Sequence, residues 1–148
     1  MSDGKVSVRL VQAQDYRFDV DFGAGVPALR VDEPPPLGEG SGPSPVQMLA
    51  GAVGNCLSAS LLFALRKFRQ APDPIRTEVT AEVGRNAEGR LRVLGMQVTL
   101  TLGVPAASLQ HLDRVLAGFE AYCTVTQSVA GAIPVAVSVV DSQGQVLK

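Results

Sequence analysis

The order of patterns along the chain predicts an α+β fold in one domain spanning residues 1–148. Short period-2 apolar stretches crowd the first 33 residues, a long uncharged helical stretch follows, and strand patterns return on either side of shorter helical ones. A chain of 148 residues is long enough for one sizeable core.

The strand-rich part spans 5–33. Val6, Val8 and Leu10 alternate with polar or charged neighbours, and Phe18, Val20 and Phe22 alternate with Asp19 and Asp21. Gly23-Ala24-Gly25 marks a turn into a short third strand over 28–31, and such short connections imply an antiparallel meander. A loop at 34–44 holds Pro34-Pro35-Pro36 and then Gly38, Gly40 and Ser41-Gly42-Pro43. Prolines stiffen it, glycines let it turn, and a loop of this length in a small domain is usually functional or disordered.

The central helix is predicted over about 44–70. Ser44 is placed to be its N-cap, Pro45 its first residue, and Gln47 the reciprocal partner of a capping box. Pro72 and Pro74 forbid its continuation. The stretch 41–65 carries no charge and is followed by Arg66, Lys67 and Arg69, a length and flank that also suit a membrane span. Gly51, Gly54, Asn55, Ser58 and Ser60 dilute it, and the amphipathic strands on both sides need an apolar partner. A helix at the centre of a core or a dimer is therefore expected, with Gly51 and Gly54 letting another helix approach closely.

The C-terminal part spans 75–148. A strand at 75–84 sets Val79, Ala81 and Val83 on one face, Asn86-Ala87-Glu88-Gly89 turns the chain, and 91–102 returns it. Pro105 opens a second helix whose core positions are Leu109, Leu112, Leu116 and Phe119. Thr124 and Gln127 repeat the capping-box pattern, which sets Cys123 just before a new helix, and Gly131 and Pro134 end that helix. Val135, Val137 and Val139 form the last strand.

A net charge of −1 without a basic stripe predicts no nucleic-acid partner, and a chain with 5% aromatic residues and no Trp has no stacking platform for single strands. The opening Met1-Ser2-Asp3-Gly4-Lys5 has no apolar h-region, so a cytoplasmic protein is expected. The single histidine, His111, lies among Gln110, Asp113 and Arg114 and reads as solvated. No N/S ligand set for zinc is available, and no bound metal or cofactor is expected.

That leaves Cys56 and Cys123, too far apart in sequence for a secreted disulfide scaffold. Cys56, among Ala52, Val53, Ala59 and Ser60 at helical spacing, reads by itself as a small buried hydrophobe. Cys123 differs, because a helix N-terminus favours the thiolate and lowers a thiol pKa. If the fold brings the two together, they form the arrangement of an attacking and a resolving thiol, which needs no metal.

Ser41-Gly42-Pro43-Ser44-Pro45-Val46-Gln47-Met48-Leu49-Ala50, running into Gly54-Asn55-Cys56, resembles the OsmC/Ohr family (osmotically inducible protein C and organic hydroperoxide resistance protein), in its OsmC-like branch. Glu120-Ala121-Tyr122-Cys123-Thr124-Val125-Thr126-Gln127-Ser128, with Ile133-Pro134-Val135 after it, is similar to the family's second-cysteine segment. The resemblance covers essentially the whole chain. It implies an intertwined homodimer, with antiparallel sheets around the long central helix and a site at the interface. It also implies thiol-dependent reduction of organic hydroperoxides, with Cys56 attacking the peroxide and Cys123 resolving to a disulfide. The reductant it implies is an external dithiol, typically a lipoyl group on a protein. The family's peroxidases place a glutamate near the start of the central helix, where this chain has Val46 with Gln47 beside it and no carboxylate. Their thiolate-binding arginine has its candidate in Arg17, with Arg9 and Arg30 as alternatives. Two further functions stay open: a protein of the same fold that binds a lipid-like or other small ligand, and a redox sensor or thiol carrier.

Overall fold

The computed structural model describes residues 3–148, so the first two residues of the opening stretch lie outside it. The chain divides into two compact units, Met1–Met48 and Leu49–Lys148.

In the first unit, β1 (Arg9–Gln14), β2 (Arg17–Asp21) and β3 (Leu29–Val31) form an antiparallel sheet in the order β1-β2-β3. The expected meander is present, but β1 begins after Val6 and Val8, and Phe22 falls just beyond β2. Val20 and Val31 are buried, whereas Leu10 and Val11 leave about half or more of their surface in solvent. The loop after β3 is organised by Asp32. Its buried carboxylate accepts hydrogen bonds from the Ser41 hydroxyl (2.8 Å), the Ser41 N–H (3.0 Å) and the Glu39 N–H (3.2 Å). These donors, the Ser41 N–H foremost, hold Asp32 below the usual carboxylate range.

Helix α1 (Pro45–Lys67) starts as its sequence signals require. The Ser44 N–H donates to Gln47 Oε1 (2.9 Å) and the Gln47 N–H to Ser44 Oγ (3.2 Å), a complete capping box. It stops at Lys67, short of the prolines, because Arg69 turns into the left-handed region (φ 57°) and the Gln70 N–H closes back onto the Leu65 carbonyl. By length and composition α1 is apolar enough to cross a membrane. Its stripe of Val53, Leu57, Leu61 and Leu65 is nevertheless wholly buried in a protein core.

That core belongs to the second unit. The sheet β4 (Arg76–Arg85), β5 (Leu91–Thr101) and β6 (Val135–Val140) has the order β4-β5-β6. It is mixed rather than antiparallel throughout: β4 and β5 form the expected hairpin, but β6 runs parallel to β5. A parallel return needs a crossover, and the residues between β5 and β6 supply it with their helices. Met96, Val98, Leu100 and Val139 face α1, with Val79, Ala81, Val135 and Val137 half-buried beside them. Val83, expected on the same face, is 48% exposed, at the point where an extra residue in β5, Leu94, shifts the register.

The helix expected from Pro105 is broken. A single 3-10 turn (Ala106–Ser108) precedes α2 (Leu112–Gly118), and a second 3-10 turn (Phe119–Tyr122) leads to α3 (Thr124–Val129). The break falls at His111, whose φ of 59° is left-handed. His111 is solvent-exposed, as expected, and its ring stacks on Phe68 at 4.8 Å between centroids. Asp141 fastens the crossover to the sheet: its buried carboxylate accepts the N–H groups of Ala106, Gln143 and Gln145, each at 2.9 Å.

Gly54 sets how closely α1 lies on β4. A Cβ there would sit 2.7 Å from Val79 Cγ2, so the close approach is to a strand and not to another helix, while Gly51 faces open space. Gly54→Ala gains up to about 1 kcal/mol of helix propensity and meets an overpacking cost of about 1–3 kcal/mol against a stiff β-branched side chain. The expected net result is a loss of about 0.5–2 kcal/mol, read by urea denaturation, whereas Gly51→Ala is expected to be neutral or stabilising.

Candidate functional site

Cys56 and Cys123 meet in the second unit through the packing of α1 on the segment ahead of α3. The Ser60 hydroxyl donates to the Phe119 carbonyl (2.5 Å), which pins α1 against the 3-10 turn. Cys56 lies one helical turn before Ser60, and Cys123 lies four residues after Phe119. The thiols come within interaction range of each other. Both are free. Cys56 is partly exposed and Cys123 completely buried.

Cys123 is itself the N-cap of α3, one residue earlier than the Thr124 and Gln127 pattern suggests. The Gln127 N–H bonds to the Cys123 carbonyl (2.9 Å) and its side chain turns back to the Glu120 carbonyl (3.1 Å), so no Thr124–Gln127 capping box forms. The Cys123 thiol instead bonds to Thr126 Oγ1 at 3.0 Å. The expected lowering of its pKa is reversed. Burial, the largest influence, pushes the thiol up; the Thr126 hydroxyl opposes it; the neighbouring Cys56 pushes it up again. The Thr126 N–H contributes a smaller lowering without making a cap hydrogen bond. A helix of six residues has too little dipole to outweigh burial.

The segment carrying Cys123 is clamped from outside as well. Lys148 forms an ion pair with Glu120, donates to the Leu116 carbonyl (2.8 Å) and lies 5.5 Å above the Phe119 ring. Sequence reasoning missed Lys148, and also Thr126, whose signal was its place three residues after a cap residue.

Arg17, Val46 and Gln47 belong to the first unit. Arg17 Nη2 lies 3.0 Å from Glu39 Oε2 and 3.4 Å from Gln14 Oε1. The arginine thus has a carboxylate partner, from the loop and not from the helix start. Asp32 holds the Glu39 backbone in place, so the pair is built on an ordered loop. The Gln47 side-chain oxygen is engaged by the capping box, and Val46 is half-buried. Of the alternatives, Arg30 is committed to Asp19 through two bonds of 3.0 and 3.1 Å, and Arg9 is exposed on β1. Among the described residues, no group of three or more His, Cys, Asp or Glu side chains is arranged to hold a metal ion.

Residues 38–138 match the family model described as OsmC-like protein. No curated protein sequence matches the chain. Among solved structures, an OsmC-like protein from Vibrio cholerae O1 biovar eltor is similar with a TM-score of 0.78 and 15% identity, over 93% of this chain and 100% of that one. An organic hydroperoxide resistance protein from Elizabethkingia anophelis has a TM-score of 0.72 and 15% identity, over 95% of this chain and 99% of that one. The organic hydroperoxide resistance protein OhrB of Bacillus subtilis has a TM-score of 0.70 and 14% identity, over 92% and 98%. These identities speak to the fold. The family model spans more than half of the sequence and includes both cysteines, and the chain belongs to the OsmC-like protein family.

Proposed function

We propose that the protein is a cytoplasmic thiol-dependent peroxidase that reduces organic hydroperoxides. The observation that carries the reading is the pairing of a partly exposed Cys56 with a fully buried Cys123 at interaction range. An attacking sulfur must be reached by peroxide, and a resolving sulfur only by its partner. The Cys56 thiolate attacks the terminal peroxide oxygen; the O–O bond breaks, the alkoxide leaves as the alcohol after taking a proton, and Cys56 becomes sulfenic acid. Cys123 then displaces hydroxide from that sulfur, giving the disulfide and water. An external dithiol, of the lipoyl type, returns the pair to thiols and is itself oxidised. The peroxide-resistance names of two structural relatives agree with this substrate class.

The peroxide's organic part favours an apolar pocket, and the first unit has one of about 440 Å³, lined by Leu10, Tyr16, Phe18, Val31, Pro45 and Met48. The same pocket favours the second reading, a small-molecule-binding protein with little peroxidase activity. Oxidation separates the two. One equivalent of cumene hydroperoxide, added to the reduced protein, is expected to yield a Cys56–Cys123 disulfide within one subunit. Peptide mapping that finds both thiols free would leave the binding reading standing.

Arg17 is assigned to stabilise the Cys56 thiolate, with Glu39 holding it in place. Removing a hydrogen bond to a charged group costs about 1.5–3 kcal/mol, so Arg17→Ala is expected to slow Cys56 oxidation about 10- to 100-fold. The Glu39 side chain is 74% exposed, and exposed ion pairs contribute at most about 1 kcal/mol. Glu39→Gln should therefore slow oxidation only about two- to five-fold. Stopped-flow rates in the two variants check the order of effects.

The functional unit is assigned as a homodimer. α1 leaves Gly51, Ala52, Ala59 and Phe63 exposed, and Phe63 is 69% in solvent. A large apolar helix face is covered at lowest cost by a second copy. Light scattering at micromolar concentration is expected to give twice the 15.5 kDa chain mass, and Phe63→Glu to shift it toward the monomer.

A further inference from the structure

Thr126 holds a position where the core would accept valine. Its side chain is 3% exposed, beside a Cys123 that is 0% exposed. A buried hydroxyl is costly unless it is bonded, and this one bonds to a sulfur: Thr126 Oγ1 is 3.0 Å from Cys123 Sγ. Apart from Cys56, it is the side chain that hydrogen-bonds to that thiol among the described residues.

We propose that Thr126 is a positioning residue for the disulfide-forming step, directing Cys123 Sγ and stabilising its thiolate as Cys56 is resolved. The inference rests on the reading that Cys56 is the attacking thiol and Cys123 the resolving one. A threonine hydroxyl rotates freely and both accepts and donates. In the resting state it accepts the Cys123 S–H, which holds the sulfur against one side of its pocket. When the proton leaves, the hydroxyl turns and donates to the thiolate. The thiolate attacks the Cys56 sulfenic sulfur; the S–S bond forms, the S–O bond breaks, and the departing hydroxide takes up the proton that Cys123 released. One sulfenic acid and one thiol become one disulfide and one water.

The need for such a group follows from the surroundings. Burial penalises the Cys123 thiolate and Cys56 adds to the penalty, while the Thr126 hydroxyl is the largest influence opposing them. On the neighbouring segments, Glu120 and Lys148 are paired with each other. No cation is among the influences on Cys123, so a neutral hydroxyl is the available substitute.

The test uses the full-length protein, with Thr126→Val (same shape, no hydroxyl) and Thr126→Ser (hydroxyl kept). One arm oxidises the reduced protein with tert-butyl hydroperoxide. It follows Cys56 sulfenic acid by dimedone trapping and the disulfide by mass spectrometry across about pH 6–10. The other arm uses no peroxide: Ellman's reagent caps Cys56 as a mixed disulfide, and release of a second thionitrobenzoate reports attack by Cys123. In Thr126→Val the second release is expected to slow about tenfold or more, with its pH midpoint displaced upward. Capping of Cys56 is expected to be unchanged, and Thr126→Ser to restore both rate and midpoint. Equal second-release rates and pH profiles in wild type and Thr126→Val would overturn the proposal, as would a Thr126→Ser variant as slow as Thr126→Val. A wild type silent to peroxide, with the Thr126 effect intact in the other arm, would overturn the peroxidase reading and leave the role of Thr126 standing.

Discussion

The contact between α1 and the second sheet determines most of what the larger unit can do. Val53, Leu57, Leu61 and Leu65 form one fully buried stripe on the helix. At about 1.5–3 kcal/mol per buried side chain, their burial contributes at most roughly 6–12 kcal/mol, comparable with the whole stability of a domain. The stripe seats correctly only because Gly54 lets the helix backbone come down on Val79, and the Ser58 hydroxyl then bonds to Thr77 at 2.6 Å. Once the helix is seated, its rotation is fixed. The row holding Cys56 and Ser60 then has to run along the Phe119 to Cys123 segment, and the thiol pair follows from core packing.

Two opposing effects act on Cys123. A helix begins there, which favours the thiolate, and the side chain is removed from water, which disfavours it. Burial wins because α3 has six residues and the dipole of so short a helix is small. The consequence is that the two thiols stand in different surroundings. Cys56 is partly exposed and Cys123 is sealed, with the Thr126 hydroxyl to offset part of its burial. Lys148 and Ser60 both hold the segment that leads to Cys123, so that thiol stands on a braced element.

Much of the fold was legible because its signals are local. The Ser44–Gln47 capping box, the hairpin at Asn86-Ala87-Glu88-Gly89 and the Val135, Val137, Val139 alternation each depend on neighbours within a few residues. The misreadings share a different cause. His111 adopts a left-handed conformation that nothing in an apolar i, i+3, i+4 pattern reveals, and it divides what looks like one helix. Val83 is exposed where an extra residue in the partner strand shifts the register. Cys123 is an unusual cap residue, so the pattern at Thr124 and Gln127 drew the boundary one position late. The parallel pairing of β6 with β5 depends on a crossover of four short helical pieces, whose path is a tertiary property.

For this protein, the sequence by itself determined the α+β order, the central helix with its start, the exposed histidine, and the two thiols as the candidate site. These follow from periodicity, caps and residue type, which act over a few residues. The tertiary structure decided the direction of the Cys123 pKa shift, the choice of Glu39 as the partner of Arg17, and the placement of Thr126 against the thiol. The sign of the pKa shift depends on how much water remains around a sulfur, and an ion pair depends on where two side chains 22 positions apart arrive. Both are set by packing, which no local pattern in the chain encodes.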